Sequence, residues 1–163
     1  MYDLKKVESD FPWALEGRSL DDQRNNPGYN SFEYLPQGWG DVIHKHLLLL
    51  EKILTDYNII DRICVAQVKE KYGTLRFYYD LVPLPFKDDN NKENIKEILE
   101  AARNAVNQCV NDLENATQNI CCYCGTTDNV TCRDGWVHYS CDACENSPAS
   151  QHAQTTNQAT SPK

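Results

Sequence analysis

The sequence predicts an α+β fold: two helices packed on a β-hairpin or small antiparallel sheet, followed by a C-terminal four-cysteine zinc ribbon. Three observations predict it. Apolar residues recur at spacings of three and four over residues 41–57 and again over 91–115, the period of an amphipathic helix. Between these stretches, residues 62–82 are β-branched, aromatic and partly alternating, with Gly73 near the middle. Cysteines 121, 124, 141 and 144 form two C-x2-C pairs separated by sixteen residues. A chain of 163 residues is about one ordinary domain, and with 40% apolar and 25% charged residues it can bury a modest core. The expected division is an α+β domain over 1–118, the ribbon over 119–144 and a tail over 145–163.

Residues 1–38 are polar and turn-rich, punctuated by Pro12, Pro27-Gly28 and Pro36, so irregular structure is expected there. Its aromatics Phe11, Trp13, Tyr29, Phe32 and Tyr34 are expected to pack onto the domain. In the first helix Val42, Ile43, His46, Leu47, Leu50, Ile53, Leu54 and Tyr57 share one face, with Asp41 as N-cap and Asn58 at the end. Strands are expected over Arg62–Val68 and Thr74–Tyr79, joined tightly through Gly73, whose missing Cβ permits a conformation other residues resist. Pro83 and Pro85 bar a continuing central strand. After the polar start Asp88–Asn91, the second helix carries a stripe of Ile95, Ile98, Leu99, Ala102, Ala105, Val106, Cys109, Val110 and Leu113. Residues 145–163 are dominated by Ser, Thr, Asn, Gln, Ala and Pro, which cannot bury a core, so a disordered tail is expected.

No stretch approaches the ~18 apolar residues of a membrane span; Leu47–Leu50 is only four residues long. The N-terminal lysines are followed by no apolar segment, so no secretory leader, and hence the cytoplasm, is expected. Eight cysteines in that compartment point to metal rather than disulfides. In a C-x2-C knuckle the two intervening residues let both sulfurs turn to one point. Val130–Arg133 and Gly135–Tyr139, around the hairpin dipeptide Asp134-Gly135, are expected to be two short strands. Cys121, Cys124, Cys141 and Cys144 are therefore the expected ligands of one structural Zn2+, in a closed tetrahedral shell with no open position. Cys122 could replace Cys121, and Cys132 or His138 could replace another ligand. A redox pair is the weaker reading, since neither pair follows a strand in a βαβ unit. Cys64 and Cys109 lie on a strand and on the helical stripe, where a buried thiol behaves as a small hydrophobe.

Net charge is −8, and no segment has a basic excess. A metallated ribbon, with one arginine and three aspartates over 121–144, totals a formal charge of about −4, of which the four-thiolate site itself contributes about −2. This sign is wrong for a protein that tracks phosphates. One local exception is Lys69, Lys71 and Arg76 interleaved with Tyr72, Phe77, Tyr78 and Tyr79. Lys69, Lys71, Arg76 and Tyr78 form a candidate single-strand stacking platform. The plainer alternative is a hairpin with aromatics inward and cations outward, partly neutralised by Glu70 and Asp80. No G-x-x-x-x-G-K, G-x-S-x-G or H-x-E pattern accompanies the cysteines, so no catalytic constellation is expected. His46 reads as a satisfied packing residue.

Gly38-Trp39-Gly40 before a helix, the string from Gln67 through Lys69-Glu70-Lys71-Tyr72-Gly73-Thr74-Leu75-Arg76-Phe77-Tyr78-Tyr79, a long helix, Cys-x2-Cys-Gly, and Gly135-Trp136-Val137 leading into the second pair resemble a set of small, mostly uncharacterised bacteriophage and prophage zinc-ribbon proteins. The resemblance covers about residues 36–144. It departs from the pattern at the doubled Cys121-Cys122 and at His138-Tyr139-Ser140. It implies a phage-encoded cytoplasmic protein with one zinc, and no reaction. Small acidic phage proteins commonly bind a host protein, to redirect it or to block a defence system. An acidic surface can also mimic nucleic acid for a basic partner. The expected function is thus a protein-binding module, an inhibitor of a host or defence protein, with a nucleic-acid-binding zinc ribbon as the alternative.

Overall fold

A computed structural model of the chain describes residues 1–15, 32–81 and 92–147, with residues 92–95 as backbone only. The fold is α+β, with four α-helices and two small antiparallel sheets among the described residues. In chain order these are α1 (Val7–Asp10), α2 (Gly40–Asp56), β1 (Ile63–Lys71), β2 (Thr74–Leu81), α3 (Lys92–Ala116), β3 (Val130–Arg133), β4 (His138–Cys141) and α4 (Asp142–Glu145). β1 pairs with β2, and β3 with β4. No helix among the described residues is long and apolar enough to cross a membrane. The expected tail beyond Ser147, Tyr29, Pro83, Pro85 and the start signal at Asp88–Asn91 lie outside the described residues.

α2 buries Ile43, His46, Leu47, Leu50 and Leu54 on one face, as its period requires. His46 is held within the helix: its Nδ1–H donates to the Val42 carbonyl at 2.7 Å. Asp41 is not the N-cap; that position is Trp39. The Asp41 carboxylate instead accepts from the Tyr2 amide at 2.6 Å and faces the N-terminal amine at 3.7 Å, so it fastens the chain start to the helix. At the other end Asn58, at φ 54°, makes the left-handed turn that stops the helix. The Asn58 and Ile59 amides donate back to Thr55 and Leu54 carbonyls at 2.9 and 2.8 Å, a Schellman closure.

The N-terminal segment packs irregular turns onto this helix. Leu4, Val7, Phe11, Trp13, Ala14 and Phe32 are buried, and the Trp13 indole donates to Glu51 at 3.1 Å. Tyr34 departs from the expected inward packing and stands 71% exposed.

The β1–β2 hairpin is longer than its expected strands, because the turn is only Tyr72-Gly73, with φ of 53° and 76°. Positive φ at both central positions is the type I′ geometry that matches strand twist. A bulge between Val65 and Gln67 lets Ile63, Val65 and Val68 face inward despite their uneven spacing. Inward on β2 are Leu75 and Phe77, with Tyr79 half-buried, but Tyr72 and Tyr78 point outward, contrary to the all-inward expectation. They are used as platforms for Lys71 and Lys69, whose ammonium groups lie 5.4 and 5.3 Å from the respective ring centroids.

α3 packs on α2 and along β2. Ala102, Val106, Cys109, Val110 and Leu113 are buried, while Ile98 is exposed, so the apolar stripe is covered only over the C-terminal part of the helix. The helix also covers the outer edge of β2. Glu114 Oε1 accepts the Phe77 amide at 2.8 Å, and Thr117 Oγ1 accepts the Leu75 amide at 3.1 Å. These amides point away from β1, and unpaired edge donors would otherwise be costly or adhesive. Glu114 also sits 3.8 Å from Arg76, the counter-ion the sequence assigned to Glu70 and Asp80. Glu114→Ala is expected to destabilise the protein by about 1–3 kcal/mol, because a part-buried amide loses its acceptor. Glu114→Gln, which keeps an amide oxygen, should recover most of that loss. Denaturant unfolding of both variants checks this; a Glu114→Ala protein within about 0.5 kcal/mol of the parent would contradict it.

Candidate metal centre

Local backbone bonds bring the first cysteine pair into one turn. The Cys121 amide donates to the Thr126 carbonyl at 2.8 Å, and the Gly125 amide to the Cys121 carbonyl at 2.9 Å. This folds residues 121–126 back on themselves, with Cys121 and Cys124 on the same side. The second pair is held differently. Cys141 ends β4 and begins α4, and one helical turn later Cys144 returns to the same side. The Sγ atoms of Cys121, Cys124, Cys141 and Cys144 all lie within 4.8 Å of one another. Cys124 and Cys141 sulfurs are 3.7 Å apart, far beyond a disulfide bond, and all eight cysteines are free. A tetrahedral shell with metal–sulfur bonds of about 2.3 Å has sulfur–sulfur edges of about 3.8 Å. The group can therefore hold one metal ion with little movement.

Burial alone would raise the Cys121 thiol, but backbone amides of Cys124, Cys141 and Tyr123 bring it down to about 7. Cys144 is raised, first by burial and then by its crowding with the other three sulfurs. Four thiols this close cannot all ionise without a cation between them, and a divalent ion supplies it. Cys121 and Cys141 are buried; Cys124 and Cys144 lie nearer solvent.

Cys122, Cys132 and His138, the other candidate ligands, are not brought into the cluster. Cys122 is buried, its thiol is pushed up to about 12, mainly by burial, and its sulfur lies outside the group of four. Its backbone is used instead: its amide donates to the Tyr139 carbonyl and its carbonyl accepts from Gly38, both at 2.9 Å. Cys132 is exposed on β3. His138 Nδ1 faces the Trp136 carbonyl at 2.7 Å and Nε2 faces Glu145 at 3.1 Å, so the ring is committed elsewhere. The Ser140 hydroxyl donates to Glu145 at 2.8 Å and, with His138, holds that carboxyl below its ordinary range. Arg133 completes this network by bonding Ser140 and, at 2.7 Å, Asp142. It ties β3 to the helical turn carrying Cys144. β4 starts at His138 rather than Gly135, so Trp136 and Val137 lie in the hairpin loop.

The module docks on the main domain at two glycines. Gly38 lies against the first cysteine pair: a Cβ there would be 2.1 Å from the Cys121 carbonyl oxygen. At the β1–β2 turn, a Cβ on Gly73 would meet the His138 Cα at 3.0 Å. Sequence reasoning noted both glycines without their contacts. It also missed the cleft of about 950 Å³ left between these two points, bordered by Tyr34, Trp39, Glu70, Tyr123, Asp134 and Trp136. Only the exposed Trp136 beside a hairpin dipeptide could have hinted at it.

The four residues assigned to nucleic-acid binding do share a region of the hairpin. Lys69 is paired directly with Arg76, and Gln67 with Tyr78, on the outward face. Arg76, however, is turned to Glu114 and to its neighbour's carbonyl. No family model, curated protein or solved structure matches the chain.

Removing the metal by chelation, or one ligand by Cys141→Ser, should unfold residues 121–144 while α2 and α3 persist. The expected signature is loss of near-UV signal and new proteolysis within 121–144, with most far-UV helical signal retained. Unchanged near-UV signal and protease resistance would contradict a metal-dependent module.

Proposed function

We propose that the chain is a zinc-stabilised protein-binding module of the small bacteriophage and prophage type, acting in the host-cell cytoplasm as an inhibitor of a host or defence protein. The observation that carries the reading is the closed set of four thiols, all from the protein itself. A tetrahedral ion there has no position left for substrate or water, so the metal's work is to hold the fold. Zinc suits this set because it accepts four thiolates tetrahedrally without redox chemistry. The two cysteine pairs, on a turn and on the end of a hairpin, support the zinc-ribbon reading.

Acidity supports a protein rather than a phosphate partner. The chain carries −8, and a four-thiolate site holding a divalent ion would add about −2 in the segment that also carries Asp128, Asp134 and Asp142. A basic protein surface fits that field. The resemblance of residues 36–144 to phage proteins supplies the biological setting, with a host protein as target.

The alternative, a nucleic-acid-binding zinc ribbon, rests on Lys69 and Lys71 over the exposed Tyr78 and Tyr72 rings. It is the weaker reading, because Arg76 is already engaged by Glu114.

Affinity capture from host extract, with and without nuclease, separates the two. The protein-binding reading expects a stoichiometric protein that survives nuclease and moderate salt. Captured nucleic acid, or partners lost with nuclease, would overturn it in favour of the hairpin surface. Such binding should also weaken steeply with salt.

A further inference from the structure

The cleft between the Tyr34–Trp39 segment, the β1–β2 turn and the β3–β4 loop has a wall chemistry that selects its occupant. Three large aromatics border it: Tyr34 at 71% exposure, Trp136 at 72% and Tyr123 at 37%. Single exposed aromatics are ordinary, but three around one concavity are not explained by folding, since none of them is buried there. Two carboxylates, Glu70 and Asp134, line the same cleft, and no lysine or arginine does so among the described residues. The only base on its wall among the described residues, His138, is turned to Glu145. Trp39 at the floor is fully buried, and its indole N–H has no hydrogen-bond partner among the described residues. That donor is sealed beneath the cleft wall, so the exposed aromatics and the carboxylates are what an occupant would meet.

We propose that this cleft is a binding site for an arginine side chain presented by an extended segment of a partner protein. A protein partner here rests on the protein-binding reading above; the chemistry of the cleft stands apart from it. Aromatic faces attract a cation through the ring quadrupole, and a guanidinium stacks on them better than an ammonium does. The carboxylates supply acceptors for its N–H fork. The volume, about 950 Å³, accommodates several residues of peptide rather than a single ion.

The test uses the full-length protein and two tripeptides, acetyl-Gly-Arg-Gly-amide and its citrulline counterpart, which keeps the shape but loses the charge. The chain has three tryptophans, so its indole N–H signals resolve the site in a nitrogen–proton correlation spectrum. The arginine peptide is expected to shift the Trp39 and Trp136 signals saturably, leaving that of Trp13, already bonded to Glu51, in place. Citrulline should bind at least about threefold more weakly, the scale of one cation–π contact. Trp136→Ala, at an exposed loop position, and Asp134→Asn, which keeps a good hairpin dipeptide, should each weaken arginine binding about threefold or more without loss of fold. Equal response to the two peptides, no saturable shift, or shifts confined to Lys69–Tyr78 would overturn the proposal.

Repeating partner capture with the Trp136→Ala/Asp134→Asn chain separates the two levels. A partner captured equally by parent and variant would refute the cleft while leaving the protein-binding reading in place. No captured protein together with the expected peptide shifts would do the reverse.

Discussion

Gly38 and the first cysteine pair approach each other so closely that only a hydrogen atom fits between them. The Gly38 amide donates to the Cys122 carbonyl at 2.9 Å, and a side chain at Gly38 would collide with the backbone of Cys121 and Cys122. That contact fixes much else. The residue after Gly38 is Trp39, wholly buried and the N-cap of α2, so the position of the cysteine turn is coupled to the start of the main helix. Gly40 begins that helix in close contact with the Tyr2 carbonyl, and Asp41 draws in the chain terminus. The turn that faces Gly38 is itself closed by the Cys121–Thr126 and Gly125–Cys121 backbone bonds. The candidate metal centre thus reaches the core through backbone contacts.

The second docking point works through the hairpin. Gly73 touches β4 only because Tyr72 and Gly73 make a two-residue turn, and the turn is held by Glu70, whose carboxylate accepts the Gly73 amide at 2.6 Å. Farther along, Thr117 bridges helix and strand by accepting from Leu75 and donating to the Glu114 carbonyl. The same short segment, Thr117–Ile120, leads directly into Cys121. Hairpin edge, helix end and cysteine turn are therefore one continuous structure, and the aromatic cleft is the space left where its parts do not meet.

Much of this was legible in the sequence for physical reasons. Leu47, Leu50 and Leu54, and later Val106, Val110 and Leu113, repeat at helical spacing because burial selects them that way. Cysteine spacing is equally direct, since two intervening residues suffice to aim both sulfurs at one point. What was not legible depends on contacts distant in sequence. Asp41 looks like an N-cap locally but is claimed by the chain start, 39 residues away from its bonding partner Tyr2. Cys121 is favoured over the adjacent Cys122 only by its C-x2-C spacing, and the fold buries both while placing Cys121 in the cluster and tying the Cys122 backbone to Gly38 and Tyr139. The spacing of Ile63, Val65 and Val68 needs a bulge that no propensity announces. Trp136 reads as a strand residue until the register Arg133 to His138 leaves it in the loop.

The proposed function depends on one ion shared by the four sulfurs of Cys121, Cys124, Cys141 and Cys144. X-ray absorption at the zinc edge, on protein purified without added metal, measures this directly, alongside the metal content per chain. One zinc per chain with four sulfur neighbours at about 2.3 Å is the predicted result. Nitrogen or oxygen in the shell, metal well below one per chain, or cysteines 121, 124, 141 and 144 found as disulfides would contradict it.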